Sequence, residues 1–302
     1  LLMTLLSTPP IEYSMDVLLK DGGVNTARTR LLRRRSMDTR TVVSATGRRF
    51  TVDSFGSGSG FVVVHGSGVT AMNYRRFARR LADGISVHLY DRGGRDGAPG
   101  VGLDGDIADL TAVLTATGAR KVFGHSYGGF VALEAARALS LDGLAVYDPA
   151  CAAGGLFPTD FIEPMAEALV AHDTALAMTL LSRGQGAAGA LSRLPIAAQK
   201  VLARIFFRTP IGRQFEQLLP SVLAEARAAV ANTDAARYTA ITAPTILAAG
   251  AASPPYFRAI CDAIAVAIPG SARADIPRAT HNAPIAAARA LTSQVDRWFR
   301  SD

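Results

Sequence analysis

The stretch GHSYGG, residues 124–129, sets a serine between glycines at the spacing of a nucleophile held on a tight turn. A strand-like run, KVFGH (121–125), precedes the serine, and a helical pattern over residues 128–139 follows it. So sharp a turn leaves no room for a Cβ at position 124 or 128. It exposes Ser126 at a strand end and places the following amide at the mouth of a helix. Gly129 lets that helix pack close to the sheet. The plainer reading, a glycine-rich turn with an incidental serine, explains neither the strand before it nor the helix after it.

A serine hydroxyl is a weak nucleophile until a base takes its proton, and the chain offers His65, His88, His125, His172 and His281. His88 sits inside a predicted strand and suits a core role. Strand alternation turns His125 away from the Ser126 side chain. His172 falls in a long helical insertion, where it is expected to be solvated or to line the cap that this insertion forms. His281, in RATHNAP after the last predicted strand, is expected at the same edge of the sheet as Ser126 and is the candidate base. An oxyanion needs two donors already in place. The Tyr127 amide supplies one, and the HGSG loop (65–68) is expected to supply the other from Ser67, with the Ser67 hydroxyl a weaker candidate. Gly66, His65 and His125 are candidate substrate contacts; loop structure competes for the His65 ring, and packing competes for His125.

These residues need a scaffold that brings strand ends together. RTVVSA and RRFTVDSF read as a hairpin, and FVVVH (61–65), ISVHLY (85–90), KVFGH, GLAVY (143–147), PTILAAG (244–250) and ARADI (272–276) read as further strands. Helical patterns separate them over 73–82, 105–117, 128–139, 256–268 and 284–299. Strand and helix alternating at this spacing imply a parallel sheet covered on both faces. From 152 to 240 the alternation stops, and helical patterns broken at Gly184, Pro195, Pro210 and Pro220 take over. The expected organisation is an N-terminal extension over 1–36, a core over 37–151 and 241–302, and a helical cap over 152–240.

Composition narrows the class. The 302 residues are 49% hydrophobic and 19% charged, which suits a folded enzyme and excludes disorder for most of the chain. No apolar run has the length of a membrane span. Residues 1–36 hold six of the basic residues, including the run RTRLLRRR, against three acidic ones, and the remaining excess of positive charge is dispersed. Without an aromatic-basic stripe, nucleic acid is not an expected partner. Cys151 and Cys261 have no disulfide-framework or metal-ligand spacing, so a reducing cytoplasm and no metal are expected. DRGGRDGAPG is glycine-rich but lacks the lysine of a phosphate loop, so no nucleotide cofactor is expected. LLMTLLSTPP lacks the basic start of a secretory signal. A homodimer is compatible with the chain but not argued by it, and scarce lysine beside abundant arginine and alanine suggests a G+C-rich bacterial genome.

VVVHGSG, LYDRGGRD (89–96), GHSYGG and RATHNAP, in that order, resemble the α/β-hydrolase superfamily over about residues 38–302. More narrowly, the chain resembles small bacterial hydrolases with YDRRGRG, GHSxG, LYEPP-like and GGASP-like segments, which stand here as YDRGGRD, GHSYG, VYDPA and GAASP. The resemblance implies an α/β, doubly wound sheet of eight mostly parallel strands, with a helical cap between strands 6 and 7. It makes Asp91 and Arg92 structural. It also exposes a departure: where the family's usual acid follows the seventh strand, LAAGAASPPYF (247–257) has no carboxylate, and Ser253 stands in its place. The superfamily's alternative site, after the sixth strand, holds Asp148, which is expected to orient His281. A helix-entry aspartate ahead of Pro149 is the competing reading for Asp148, and Asp275 is a poorer candidate because it lies within a strand.

The leading expectation is a serine hydrolase acting on a small or medium, mainly apolar ester, lactone or thioester through an acyl-enzyme on Ser126. Serine rather than aspartate at the elbow disfavours epoxide and haloalkane hydrolysis. Two alternatives stand beside it: a pathway enzyme using the same Ser/His pair for elimination, cyclisation or acyl transfer, and a non-catalytic small-molecule binder. Met165, Met178, Phe206 and Phe207 are candidates for either pocket lining or core.

Overall fold

A computed structural model describes residues 37–97 and 100–300. The extension expected over residues 1–36 lies outside them. Among the described residues eight strands form a single sheet in the order β1-β2-β4-β3-β5-β6-β7-β8. These are β1 (Met37–Val43), β2 (Arg49–Phe55), β3 (Gly60–Val64), β4 (Ser86–Tyr90), β5 (Lys121–His125), β6 (Gly143–Tyr147), β7 (Thr245–Gly250) and β8 (Ala272–Ile276). The β1–β2 hairpin is antiparallel and β2 meets β4 antiparallel; every other pairing is parallel.

The central strands β3, β5 and β6 are buried at every position except the first residue of β3 and of β5, because both faces of the sheet are covered. Val62, Val64, Val122 and Val146 point to one side, under α2 (Gly102–Thr117), α3 (Tyr127–Ala136) and α8 (Pro255–Ala267). Phe61, Val63, Phe123 and Ala145 point to the other, under α1 (Arg75–Leu81) and α9 (Arg289–Arg300). Burying each such valine or phenylalanine contributes about 1.5–3 kcal/mol before the cost of ordering the chain.

The chain winds outward from β3 to β4, then crosses back over β3 to β5. At that reversal the loops after β3 and β5 part and leave a crevice at the carboxyl edge of the sheet. Residues 65–68, Ser126, Asp148 and His281 follow β3, β5, β6 and β8, so all four segments open on this edge.

Between β6 and β7 run four helices, α4 (Ile162–Val170), α5 (Thr174–Gly184), α6 (Ile196–Phe207) and α7 (Pro210–Val230). Pro195 and Pro210 start helices rather than break them, since a proline at a first turn gives up no hydrogen bond the helix would have made. Pro220 lies inside α7, which continues through it on the packing of Phe215, Leu218, Leu219 and Val222. The last helix begins at Arg289, five residues later than its pattern predicts. Residues 281–287 are instead taken up in turns that carry His281 and bury Ala283 and Ala287.

Candidate active site

Ser126 occupies a left-handed conformation (φ 56°, ψ −125°), a strain of order 1–3 kcal/mol for a residue with a side chain. Its surroundings enforce it. The Ser126 amide donates to Tyr147 O (3.1 Å), and its carbonyl accepts from the amides of Gly129, Phe130 and Ala150. A Cβ at position 128 would come 2.1 Å from Val64 O, and one at 124 would come 2.6 Å from Gly128 O, so the two glycines are requirements of the turn.

The Ser126 hydroxyl lies 3.1 Å from His281 Nε2, and His281 Nδ1 lies 3.1 Å from Asp148 Oδ2. An ionised carboxylate only accepts, so Nδ1 carries the ring proton and Nε2 presents its lone pair to the serine O–H. Asp148 is fully buried and itself left-handed (φ 45°). Its Oδ1 accepts from the Gly250 amide (3.0 Å), and its Oδ2 accepts from both His281 and the Ser253 hydroxyl (2.6 Å). Gly250 makes room for this convergence, because a Cβ there would overlap Tyr147 Oη and Ser253 Oγ.

The His281 loop is fixed from several sides. Tyr147 Oη donates to Thr280 O (2.8 Å), His125 Nε2 donates to His281 O (2.8 Å), and the Phe257 ring stacks on the imidazole with centroids 4.5 Å apart and planes 7° apart. Because His125 gives its Nε2 proton to a carbonyl, its Nδ1 accepts from Tyr74 Oη, which in turn accepts from the Gly66 amide. No local pattern points to Tyr74 or Phe257 in these roles. Ser253 was visible only as an absent acid, although the donor that replaces the acid stands in the same GAASP segment.

The amides of Tyr127 and Ser67 take no acceptor among the described residues. Both residues line a cavity with Ser126 and His281. Phe157, Leu181, Phe215 and Val222, from the segment between β6 and β7, give it mainly apolar walls, while Gln185 and Gln214 add amides.

One candidate substrate contact, His65, is corrected by its surroundings. The His65 ring is buried, accepting the Arg92 amide at Nε2 (3.1 Å) and donating from Nδ1 to Gly66 O (2.9 Å), so both nitrogens are used within the loop. His125 borders the cavity but spends both ring nitrogens on Tyr74 and His281. Burial, then the charges of Arg92 and Arg95, hold His65 well below the usual histidine range; burial, then His281, do the same for His125. Gly66 does line the cavity.

His88 bonds Ser54 Oγ (2.8 Å), and its pKa is lowered to about 4, first by burial and then by Arg40. His172 is exposed on the turn between α4 and α5. Asp275 faces Arg258 and Arg273 on the edge strand. Asp91 accepts the Ala71 amide (2.6 Å), and Arg92 is buried within a charge cluster. Met165, Met178, Phe206 and Phe207 are buried in packing and do not line the cavity. No cluster of histidine, cysteine and carboxylate among the described residues could hold a metal ion. No described helix is long and apolar enough to cross a membrane.

Residues 61–294 match the model of the alpha/beta hydrolase family, and the chain belongs to that family. Among solved structures it is similar to an alpha/beta hydrolase from Sphaerobacter thermophilus, with 27% identity and a TM-score of 0.69 over 86% of this chain and all of that one. It also resembles, in fold alone, a bromoperoxidase from Bacillus anthracis (15% identity, TM-score 0.66, 88% of this chain and 100% of that one). A thermophilic esterase from Thermogutta terrifontis is similar in the same sense (21%, 0.58, 87% and 98%). No curated relative matches the chain.

Proposed function

We propose that this protein is a serine hydrolase acting on a small or medium, mainly apolar ester, lactone or thioester. The observation that carries the reading is the unbroken chain from Ser126 Oγ to His281 Nε2 and from His281 Nδ1 to Asp148, two contacts of 3.1 Å in series.

In the proposed cycle His281 Nε2 takes the Ser126 proton as Oγ attacks the acyl carbon. Asp148 stabilises the imidazolium, and the Tyr127 and Ser67 amides receive the charge that develops on the carbonyl oxygen. The tetrahedral intermediate collapses to an acyl-enzyme as Nε2 protonates the departing alcohol or thiol. Water, deprotonated by the same nitrogen, then attacks the acyl carbon and releases the acid, and the proton returns to Oγ. Helices α4–α7 act as a cap whose apolar side chains hold the substrate and exclude bulk water.

A fluorophosphonate probe tests the reading. It is expected to label the wild-type protein and not Ser126→Ala, and p-nitrophenyl butyrate turnover is expected to disappear with the label. Folded wild-type protein that takes no label would overturn the proposal in favour of a binding role. Labelling without turnover of any short ester or thioester would point to non-hydrolytic use of the same pair.

A further inference from the structure

Two arginines from the loop after β4 grip the backbone of the loop after β3. Arg92 is fully buried; its Nε donates to His65 O (3.0 Å) and its Nη2 to Gly66 O (3.2 Å). Arg95 Nε donates to Val69 O (3.3 Å), and its Nη2 makes a longer contact with Gly66 O (3.4 Å). His65 Nδ1 adds a third donor to Gly66 O at 2.9 Å. One carbonyl thus faces three donors, while the amide of the next residue, Ser67, takes no acceptor among the described residues.

The peptide joining Gly66 to Ser67 is trans, like every described peptide bond. In a trans peptide the C=O and N–H point in opposite directions. Fixing Gly66 O on the arginine side therefore turns the Ser67 N–H the other way, toward the cavity that both residues share with Ser126. A flipped peptide would give up the bonds to Gly66 O and direct a carbonyl lone pair at the nucleophile. Cationic donors on the carbonyl also polarise the peptide and strengthen its N–H as a donor.

Two guanidiniums so close together need counter-charge. Asp106 takes Arg92 Nη1 (2.8 Å), and Glu225 Oε1 takes both Arg92 Nη2 (2.9 Å) and Arg95 Nη1 (2.6 Å). Glu225 belongs to α7, in the segment between β6 and β7, and lines the cavity. Burial alone would raise its pKa, but Arg92 and Arg95 outweigh burial and hold it below the usual carboxylate range. The helix over the cavity thus supplies the charge that lets both arginines stay beneath the loop.

We propose that Arg92 and Arg95, clamped by Glu225, are positioning residues that hold the Gly66–Ser67 peptide with its N–H toward Ser126, so that the oxyanion hole is formed before substrate arrives. The proposal rests on the serine-hydrolase reading and adds that this half of the hole is built by a charge cluster spanning the core and α7.

The test uses Arg95→Gln, Arg95→Lys and Glu225→Gln in the full chain, with active sites counted by fluorophosphonate titration. Per titrated site, Arg95→Gln is expected to lower kcat on p-nitrophenyl butyrate by about 10- to 100-fold with KM within about threefold, somewhat less than removal of an oxyanion donor outright. Its affinity for butaneboronic acid, which forms a tetrahedral adduct on serine, should weaken by the same factor, while that for butanol, which forms none, stays constant. Arg95→Lys should recover part of the loss. Glu225→Gln, which keeps the side chain's shape, should show the same kcat and boronate signature, and it serves where Arg95→Gln does not fold. Wild-type kcat per titrated site, or equal weakening toward butanol and boronate, would overturn the inference while leaving the hydrolase reading intact. Wild-type protein that takes no label sinks both.

Discussion

The Ser253 hydroxyl donates a 2.6 Å hydrogen bond to Asp148 Oδ2, the same oxygen that faces the His281 ring. The position after β7 that lacks a carboxylate thus carries a donor aimed at the carboxylate after β6. Those two strands are adjacent and parallel in the sheet, so exchanging the acid between their ends leaves the direction of approach to His281 nearly unchanged.

That arrangement ranks two substitutions. Asp148→Asn removes the negative charge and the acceptor that fixes the His281 tautomer, so kcat should fall by roughly 10³–10⁴-fold. Ser253→Ala removes one hydrogen bond to a charged group, worth about 1.5–3 kcal/mol at most, and the Gly250 amide remains. The loss in kcat should be about tenfold. Steady-state kinetics on p-nitrophenyl butyrate decide the matter, and equal losses would show that the carboxylate is not the orienting group.

Gly128→Ala should not yield native protein. The added methyl group would meet Val64 O at 2.1 Å and His65 O at 2.5 Å, backbone atoms at the centre of the sheet that cannot move aside. Soluble expression and circular dichroism provide the check; a variant that folds with wild-type stability would mean the elbow is looser than described.

His125→Phe should keep the ring's bulk but strip both of its hydrogen bonds, leaving the His281 carbonyl without the donor that ties its loop down. An orphaned buried acceptor costs about 1–3 kcal/mol. Urea unfolding should show that loss. Turnover should drop more than substrate affinity, because His281 is left less well oriented; an unchanged kcat would confine His125 to packing.

Stability should fall on mild acidification. The folded pKa of His88 is about 4, and those of His65 and His125 lie well below 6.5, while in the unfolded chain all three titrate near 6.5. Protons therefore bind the unfolded chain more readily. The stability these groups contribute is fully present above about pH 6.5 and is lost as pH falls toward their folded values, at up to about 1.4 kcal/mol per pH unit for each histidine. Urea midpoints at pH 7.5 and 5.5 should differ, the lower pH giving the lower midpoint. A midpoint independent of pH would contradict the buried neutral histidines.

Much of the sheet was legible because its signals are local. FVVVH and GLAVY are short, largely apolar runs without alternation, as strands covered on both faces are, and KVFGH leads into the serine turn; the structure forms all three within a residue of the expected limits. GHSYGG was equally legible, since its glycines are demanded by contacts the turn makes with its own strand, its own helix and neighbouring β3. Element ends and loops were read less well. The patterns of α3 and α9 ran past their true limits, because amphipathic spacing does not record where tertiary contacts pull the chain into a turn. The charge cluster of Arg92, Arg95, Asp106 and Glu225 left no local signature, since its members come from three separate segments.

By itself, then, the amino-acid order determined a doubly covered parallel sheet, a strained serine at a strand end, and the short list of histidines and acids able to serve it. Tertiary structure alone decided which of these meet. Asp148 reaches His281 across 133 residues of sequence, Tyr74 joins His125 across 51, and α7 brings Glu225 to two arginines of another loop. The physical reason is range: steric and hydrophobic preferences act between neighbours in the chain and are written in local pattern, whereas a hydrogen bond or ion pair needs two groups within about 3 Å, and only the packed sheet edge sets that distance.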